Sequence, residues 1–302
     1  LGAGANDYVT KPVDGPELIA RLRTHLALSR FNRAADRFVP HAFVDALGRG
    51  SLAELQPGDA KAQHMTVLFA DMHGFGELTR GWAPADCFKF VNRWLSVLEP
   101  PITAHSGFVD KYMGDTVMAL FPGPYTDAVA AAVAMHEAIN AFNVQRKAVG
   151  RVPVRLGVGV HAGELVLGAV GNARRMDTTV ISDAVNAASA LEQRTKRLLA
   201  GILVAGEARE ALEAAGHRLR QIDELHGEPV FEIYDADPPG AVAAKEATRP
   251  IFERAVRAFH DRAFGEAERL FQVCRALDPA DPAARDYADR CERVRLSIEG
   301  GA

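Results

Sequence analysis

An α+β fold is predicted by three features of the chain. Short apolar runs of strand character recur through its middle, two stretches read as hairpins, and alanine- and leucine-containing segments of helical spacing lie between them. From Gly15 to about Phe38, Leu18, Ile19, Leu22 and Leu26 recur at helical spacing between Arg and His. Pro40 to Gly58 is a mixed, glycine-containing stretch separating that helix from the first strand. Val67 to Ala70 is wholly apolar, suits a central strand, and ends at Asp71. Ala83 to Leu98 reads as a helix, and Phe108 to Phe121 as two strands folded about Met113-Gly114-Asp115. Thr126 to Val149 is alanine-rich, with Val129, Ala132, Val133 and Ile139 on one helical face. Arg155 to Gly171 reads as a second hairpin turning near Ala162-Gly163, and a helix begins near Asp183. After Tyr234 the Pro, Gly and small residues of DADPPGAVAAKEATRP read as a linker.

At 302 residues, 48% hydrophobic and 25% charged, the chain suits one sizeable soluble domain with attachments. A net charge of −4 carries no basic excess for a nucleic-acid groove, so no nucleic-acid partner is expected. No apolar run approaches the roughly 18 residues of a membrane span. The three cysteines, Cys87, Cys274 and Cys291, are scattered without metal-ligand spacing, which reads as reduced thiols in a cytoplasmic compartment.

Asp71 and Asp115 carry the most chemistry. A carboxylate at the end of a buried strand is costly unless a positive charge meets it. Taken singly, each reads as a strand-end or turn residue. Two that converge suit Mg²⁺ or Mn²⁺ shared with a phosphate substrate.

Four words, MTVLFADMHGF, GFVDKYMGDTVMALF, RLGVGVHAGELVLGAVG and RMDTTVISDAVNAASALE, resemble the class III nucleotide cyclases, the adenylate and guanylate cyclases. Order and spacing agree as well, the two Asp standing 44 positions apart, and the likeness runs from near Phe38 to Tyr234. The resemblance implies a ferredoxin-like βαββαβ sandwich, here with a C-terminal helical segment. It further implies attack of a ribose 3′-hydroxyl on the α-phosphorus of a nucleoside triphosphate, helped by two Mg²⁺ (or Mn²⁺) ions. Asp71 and Asp115 would bridge these ions, with the backbone carbonyl of Met72 as a further ligand. The loop His73-Gly74-Phe75-Gly76 would face the phosphates, and Asn186 would orient the ribose. Lys111 is a donor only and Thr179 can accept from an amino group, a pair that fits the edge of adenine and therefore ATP. The site would form between two protomers of a head-to-tail homodimer.

Two departures stand out. Ala190 occupies the position where the family places a transition-state arginine, a group worth about 10³ to 10⁵ in related phosphoryl transfers. The word IDELHGEPVFEIY is shortened and lacks the family's triphosphate-binding lysine. Arg194, one helical turn beyond Ala190, is a substitute for the lost cation, with Arg174 and Arg175 as others. The alternative is a catalytically weak or inactive cyclase-like module that dimerises and relays a signal. A diguanylate cyclase, with a similar palm, is disfavoured because no GGDEF-like word is present.

The flanks carry resemblances of their own. LGAGANDYVTKPVDGPELIARLRTHL resembles the last strand and helix of a response-regulator receiver, with Lys11 before Pro12 at the phosphoryl-contacting position. It implies an upstream receiver domain, a cognate histidine kinase, and a loosely docked remnant in this chain. Phe264, Ala267, Phe271, Cys274 and Pro279 fall where a tetratricopeptide repeat places packing residues. A single repeat cannot bury its own face, so it is expected to pack on the catalytic body or a partner protomer. The expected organisation is receiver remnant 1–28, helical linker 29–60, cyclase domain 61–236, linker 237–249 and tetratricopeptide-like helices 250–298.

Overall fold

The computed structural model describes residues 7–35, 38–172 and 174–299. In chain order the elements begin with helices α1 (Gly15–Ala35) and α2 (His41–Ala46), strand β1 (Ala60–His73) and helices α3 (Phe75–Leu78) and α4 (Pro84–Ala104). There follow β2 (Phe108–Met113), β3 (Thr116–Phe121), α5 (Tyr125–Ala148), β4 (Arg155–Asn172), β5 (Arg175–Ile181) and α6 (Asp183–Leu198). The last are β6 (Ile202–Ala205), α7 (Arg209–Ala214), β7 (Leu219–Leu225), β8 (Glu228–Ile233), α8 (Pro239–His260), α9 (Phe264–Leu277) and α10 (Pro282–Glu299).

The strands form one sheet in the order β2-β3-β1-β4-β6-β8-β7, with β5 beside β4. Its first four members, β2-β3-β1-β4, are antiparallel throughout and reproduce the expected ferredoxin-like order. Even-numbered β1 residues Leu68, Ala70 and Met72 enter a core under α4 and α5. Odd-numbered Met65, Val67 and Phe69 face the other side, covered by Phe43 of α2 and Ala184 and Ala188 of α6. Asp71 shares this odd face, which directs its carboxylate toward α6.

The hairpin expected within Arg155–Gly171 is instead one continuous strand. All of β1 pairs along it, with Ala162 and Gly163 in mid-ladder opposite Thr66 and Met65. Its glycines answer to packing. A Cβ on Gly159 would lie 2.3 Å from the Ala188 carbonyl oxygen and the Glu192 nitrogen, and one on Gly157 would lie 2.1 Å from Thr195 Oγ1. Helix α6 therefore rests on bare strand backbone, which is why Gly alternates there with apolar residues.

The expected linker 237–249 is helical from Pro239 onward. Proline at a helix start fits, since its missing N–H has no partner to lose there. Lys245 on this helix is held by Glu232 and Asp237, each at 2.6 Å. Helices α8, α9 and α10 share a core with Leu191 and Leu198 of α6, Leu203 of β6 and Ile222 of β7. Beneath them Arg220 is fully buried between Glu232, at 2.8 Å, and Asp281, at 2.6 Å. The C-terminal helices are thus built onto α6 and the sheet, as expected of a unit unable to cover its own face.

The N-terminal segment differs. No residue of α1 is buried, and Ile19, Leu22, Leu26 and Phe31 are exposed. Residues 7–13, expected to supply a receiver's last strand, form none among the described residues, because no sheet lies beside them to pair with. Residues 1–6 of that segment lie outside the described residues.

Candidate active site

Helix α6 organises the site by presenting three faces. Ser182 caps it, its Oγ accepting from the Ala184 amide at 3.0 Å while donating to the Glu164 carbonyl at 2.6 Å. One face carries Asp183, Asn186, Ala187 and Ala190, a second Glu192, Thr195 and Lys196, and the third packs on the C-terminal helices.

The second face meets the two aspartates. Asp71, 7% exposed, accepts from Thr116 Oγ1 through Oδ1 and from Lys196 Nζ through Oδ2, both at 2.6 Å. Lys196 also reaches Glu192 at 3.2 Å. Asp115 sits on the β2–β3 turn, its carbonyl accepting from Trp94 Nε1 at 2.9 Å, so α4 holds the turn in place. Burial, and then the neighbouring charge of Asp71, push the Asp115 carboxyl well above its usual range. Glu192 is raised for the same two reasons, in the same order. Lys196 is opposed by burial, yet its hydrogen bond and charge pairing with Asp71 and Glu192 leave it raised. Three carboxyl groups therefore share one lysine.

His73, next to the glycine loop, is lowered to about 4 by burial and by the charges of Arg155 and Lys196. Thr195 gives its hydroxyl proton to the Glu192 carbonyl at 2.5 Å, so neutral His73 donates from Nε2 to Thr195 Oγ1 at 2.8 Å. Gly74 takes a left-handed conformation (φ 75°) and opens α3. The Phe75 side chain packs against the core under α4, leaving only its backbone for the expected phosphate contact. Met72 is likewise buried by its side chain, opposite Leu156 in the β1–β4 ladder.

The first face of α6 borders a groove of about 470 Å³ whose far wall is the β7–β8 hairpin. Asn186, Asp183 and Ala190 line one side, His226 and Glu228 the other, with His161 also at its wall. The shortened hairpin closes in two residues, His226 (φ 54°) and Gly227 (φ 86°), both left-handed as such a tight turn demands. His226 is the ring that this turn presents to the groove. A histidine before glycine in a turn carries no distinctive sequence signal.

Arg194 does not reach this groove. Its Nε lies 3.6 Å from Asp223 of β7, and Nη1 donates weakly to the Ala190 carbonyl at 3.5 Å. Asp223 is also held by Arg197 at 2.5 Å, by His260 at 3.2 Å and by Tyr287 at 2.9 Å. Buried carboxylate charge attracts whatever cation the third face of α6 offers, and Arg194 is the most distant of these partners. Arg174 and Arg175 lie at the β4–β5 turn, where their amides donate to Asn172 Oδ1.

Lys111 lies 3.2 Å from Asp110, an ion pair that competes with any base-reading role. Burial raises the Asp110 carboxyl, and Lys111 opposes the shift. The cavity on which Lys111 opens, about 820 Å³, is walled by Tyr112, Glu99, Asp177 and Thr178; Thr179 is not among its walls. Thr179 stands opposite Gly168 in the β4–β5 ladder.

Asn186 and Lys196 are ten residues apart, about 15 Å along the helix axis, and on different faces. The carboxylates and the Asn186 groove of one chain therefore do not converge on one reacting centre.

Residues 59–232 match the family model described as the adenylate and guanylate cyclase catalytic domain. An adenylate cyclase of Anabaena cylindrica is 37% identical over 174 residues, covering 56% of this chain and 35% of that protein. A terminal-differentiation-specific adenylate cyclase of Dictyostelium discoideum is 28% identical over 276 residues, 87% of this chain and 13% of that one. Thus the chain spans about a third or less of these relatives. Among solved structures, the adenylyl cyclase CyaB from P. aeruginosa is 27% identical with a TM-score of 0.51, over 58% of this chain and 96% of that one. No helix among the described residues is long and apolar enough to cross a membrane.

Proposed function

Because the chain belongs to the adenylate and guanylate cyclase catalytic domain family, we propose that it converts ATP to 3′,5′-cyclic AMP and pyrophosphate. The observation that carries this reading is the Asp71–Asp115 pair, two adjoining carboxylates in which burial and the charge of Asp71 raise the Asp115 carboxyl and to which Lys196 is the cation bonded among the described residues. Such a pair fits a divalent cation. Among the described residues no third His, Cys, Asp or Glu completes a protein-only metal cage, as suits Mg²⁺, which takes one or two carboxylates plus substrate phosphates. Asp71 and Asp115, with the Met72 carbonyl, would hold two Mg²⁺ or Mn²⁺ ions, which supply a lower 3′-hydroxyl pKa and neutralise triphosphate charge.

The chain's own residues do the rest. The Gly74–Phe75 backbone approaches the phosphates without side-chain bulk, and Asn186 of a second protomer orients the ribose. Lys111 reads the base once it leaves Asp110, with Thr178 or Thr179 as the accepting partner. Head-to-tail pairing of two copies brings the Asp71 end of one chain to the Asn186 groove of the other, which answers the 15 Å separation. Regulation belongs to an upstream receiver domain and its histidine kinase, in a cytoplasmic two-component pathway; Lys11 before Pro12 and the undocked α1 support this reading.

Purified protein with ATP and Mn²⁺ is expected to form cyclic AMP, and the Asp71→Ala, Asp115→Ala double variant to form none. GTP in a parallel assay tests the base. A second reading, a cyclase-like relay, is favoured by Ala190 and by the absence of a lysine in the hairpin. It gains ground if no product forms at concentrations where the protein is dimeric.

A further inference from the structure

Lys196 is unexplained by the reaction as described above. It projects from the last turns of α6, with a side chain 45% exposed, into the space beside a carboxylate that is expected to bind a metal. Both oxygens of Asp71 are engaged, Oδ1 by Thr116 and Oδ2 by Lys196. A dication bound to the same carboxylate at about 2.1 Å would stand next to the ammonium group, and like charges at that spacing repel strongly. Lysine is suited to yield. Its ammonium is a point charge on a flexible stem, with no bidentate geometry to lose. A second acceptor already lies in reach, since Glu192 Oε1 is 3.2 Å from Nζ and forms no regular hydrogen bond of its own. Glu192 is fixed from behind because Gly159 lets its backbone sit on β4.

Resting on the metal-site reading above, we infer that Lys196 is the resident counter-charge of Asp71, and that a divalent cation binds by sending Lys196 across to Glu192. Lys196 and the cation are alternatives at one carboxylate. The two positions of Lys196 then report whether the site is charged with metal, and Glu192 sets how readily the metal enters.

The test is a double-mutant cycle on Mn²⁺ binding without nucleotide, read from the electron paramagnetic resonance signal of free Mn²⁺. K196M is expected to bind Mn²⁺ at least about fivefold tighter than the wild type, the lower end of usual coupling between sites. E192Q is expected to bind it more weakly, because Lys196 then has no second partner. The double variant should match K196M, since Glu192 matters only while Lys196 is present; independent charges would instead give additive effects. Unchanged or weaker binding by K196M, or additivity, overturns the inference. D71N separates the two readings: if it leaves Mn²⁺ binding intact, the metal site itself is misplaced. Should K196M fail to fold, ¹³C-methylated wild-type lysines, with Lys196 assigned through K196R, give the same answer. The Lys196 resonance is expected to shift with Mg²⁺ in the wild type and to stay still in D71N. A resonance indifferent to Mg²⁺ in the wild type overturns the inference.

Discussion

The two ends of α6 differ in what they hold. Its C-terminal half meets β1 with Asp71, Asp115 and Glu192 crowded around Lys196, a site with more negative charge than the protein itself answers. Its N-terminal half borders a groove where Asn186 remains but Ala190 and the short His226–Gly227 turn supply little positive charge. The carboxylate end carries the charge that the proposed metal ions would answer, and the groove end is sparse in cations. A reaction that needs both is therefore limited by the second, and a slow cyclase is the expected outcome.

Restoring the missing cation sharpens that contrast most. A190R is expected to raise kcat by about 10³, the lower end for a transition-state arginine, with little change in stability because Ala190 faces the groove. Initial rates of cyclic AMP formation check it, and an unchanged rate would mean that the groove is not where charge is lacking.

Loss of the seat of α6 should damage both ends together. G159A places a methyl group against backbone atoms of Ala188 and Glu192 at 2.3 Å, and neither can give way without moving the helix. The expected cost is about 1–3 kcal/mol in urea unfolding, with activity falling as well.

The third face of α6 should show in the acid limb. Asp223 is opposed by burial, but the His260 ring 3.2 Å away, the charge of Arg197 and a hydrogen bond from Tyr287 bring its carboxyl down to about 2. An ordinary Asp in the unfolded chain titrates near 3.9, so the folded state gains stability above that value and loses it as pH falls from about 4 to 2. The amount is about 2–3 kcal/mol. D223N should unfold more readily at pH 7 and show a flatter slope over that window in thermal melts.

The smallest effect is expected at the hairpin. H226K should lower KM for ATP by up to about fivefold, the roughly 1 kcal/mol of an exposed ion pair, with kcat nearly unchanged.

Much of this architecture was legible beforehand because it rests on local pattern. Asp71 lies at the end of an apolar strand run, Asp115 sits on a two-strand turn, and α5 falls within a residue of its periodic segment, whereas α4 runs on past Leu98 to Ala104 through Pro100 and Pro101. The hairpin expected in Arg155–Gly171 gives way to one strand because glycine inside an apolar run signals a turn as readily as a close helix, and only the position of α6 decides between them. The linker before α8 was misread for a similar reason. Proline and small residues suit a loop, yet they also start and pack a helix when Glu232 and Asp237 wait for Lys245. Lys196 and Glu192 carry no local signal at all. Their meaning comes from a contact 125 positions away in sequence. Arg194 stands near Ala190 as its spacing implies, but its guanidinium lies toward Asp223, a partner that only the placement of β7 beside α6 reveals.

The most direct test mixes two inactive proteins. D71N removes the metal end and N186A the ribose end, and each homodimer is expected to be nearly dead. In a head-to-tail heterodimer one of the two sites receives both intact halves, so random mixing should restore about a quarter of wild-type activity. Activity no greater than the sum of the separate proteins would contradict a site shared between chains, and with it the division of labour along α6.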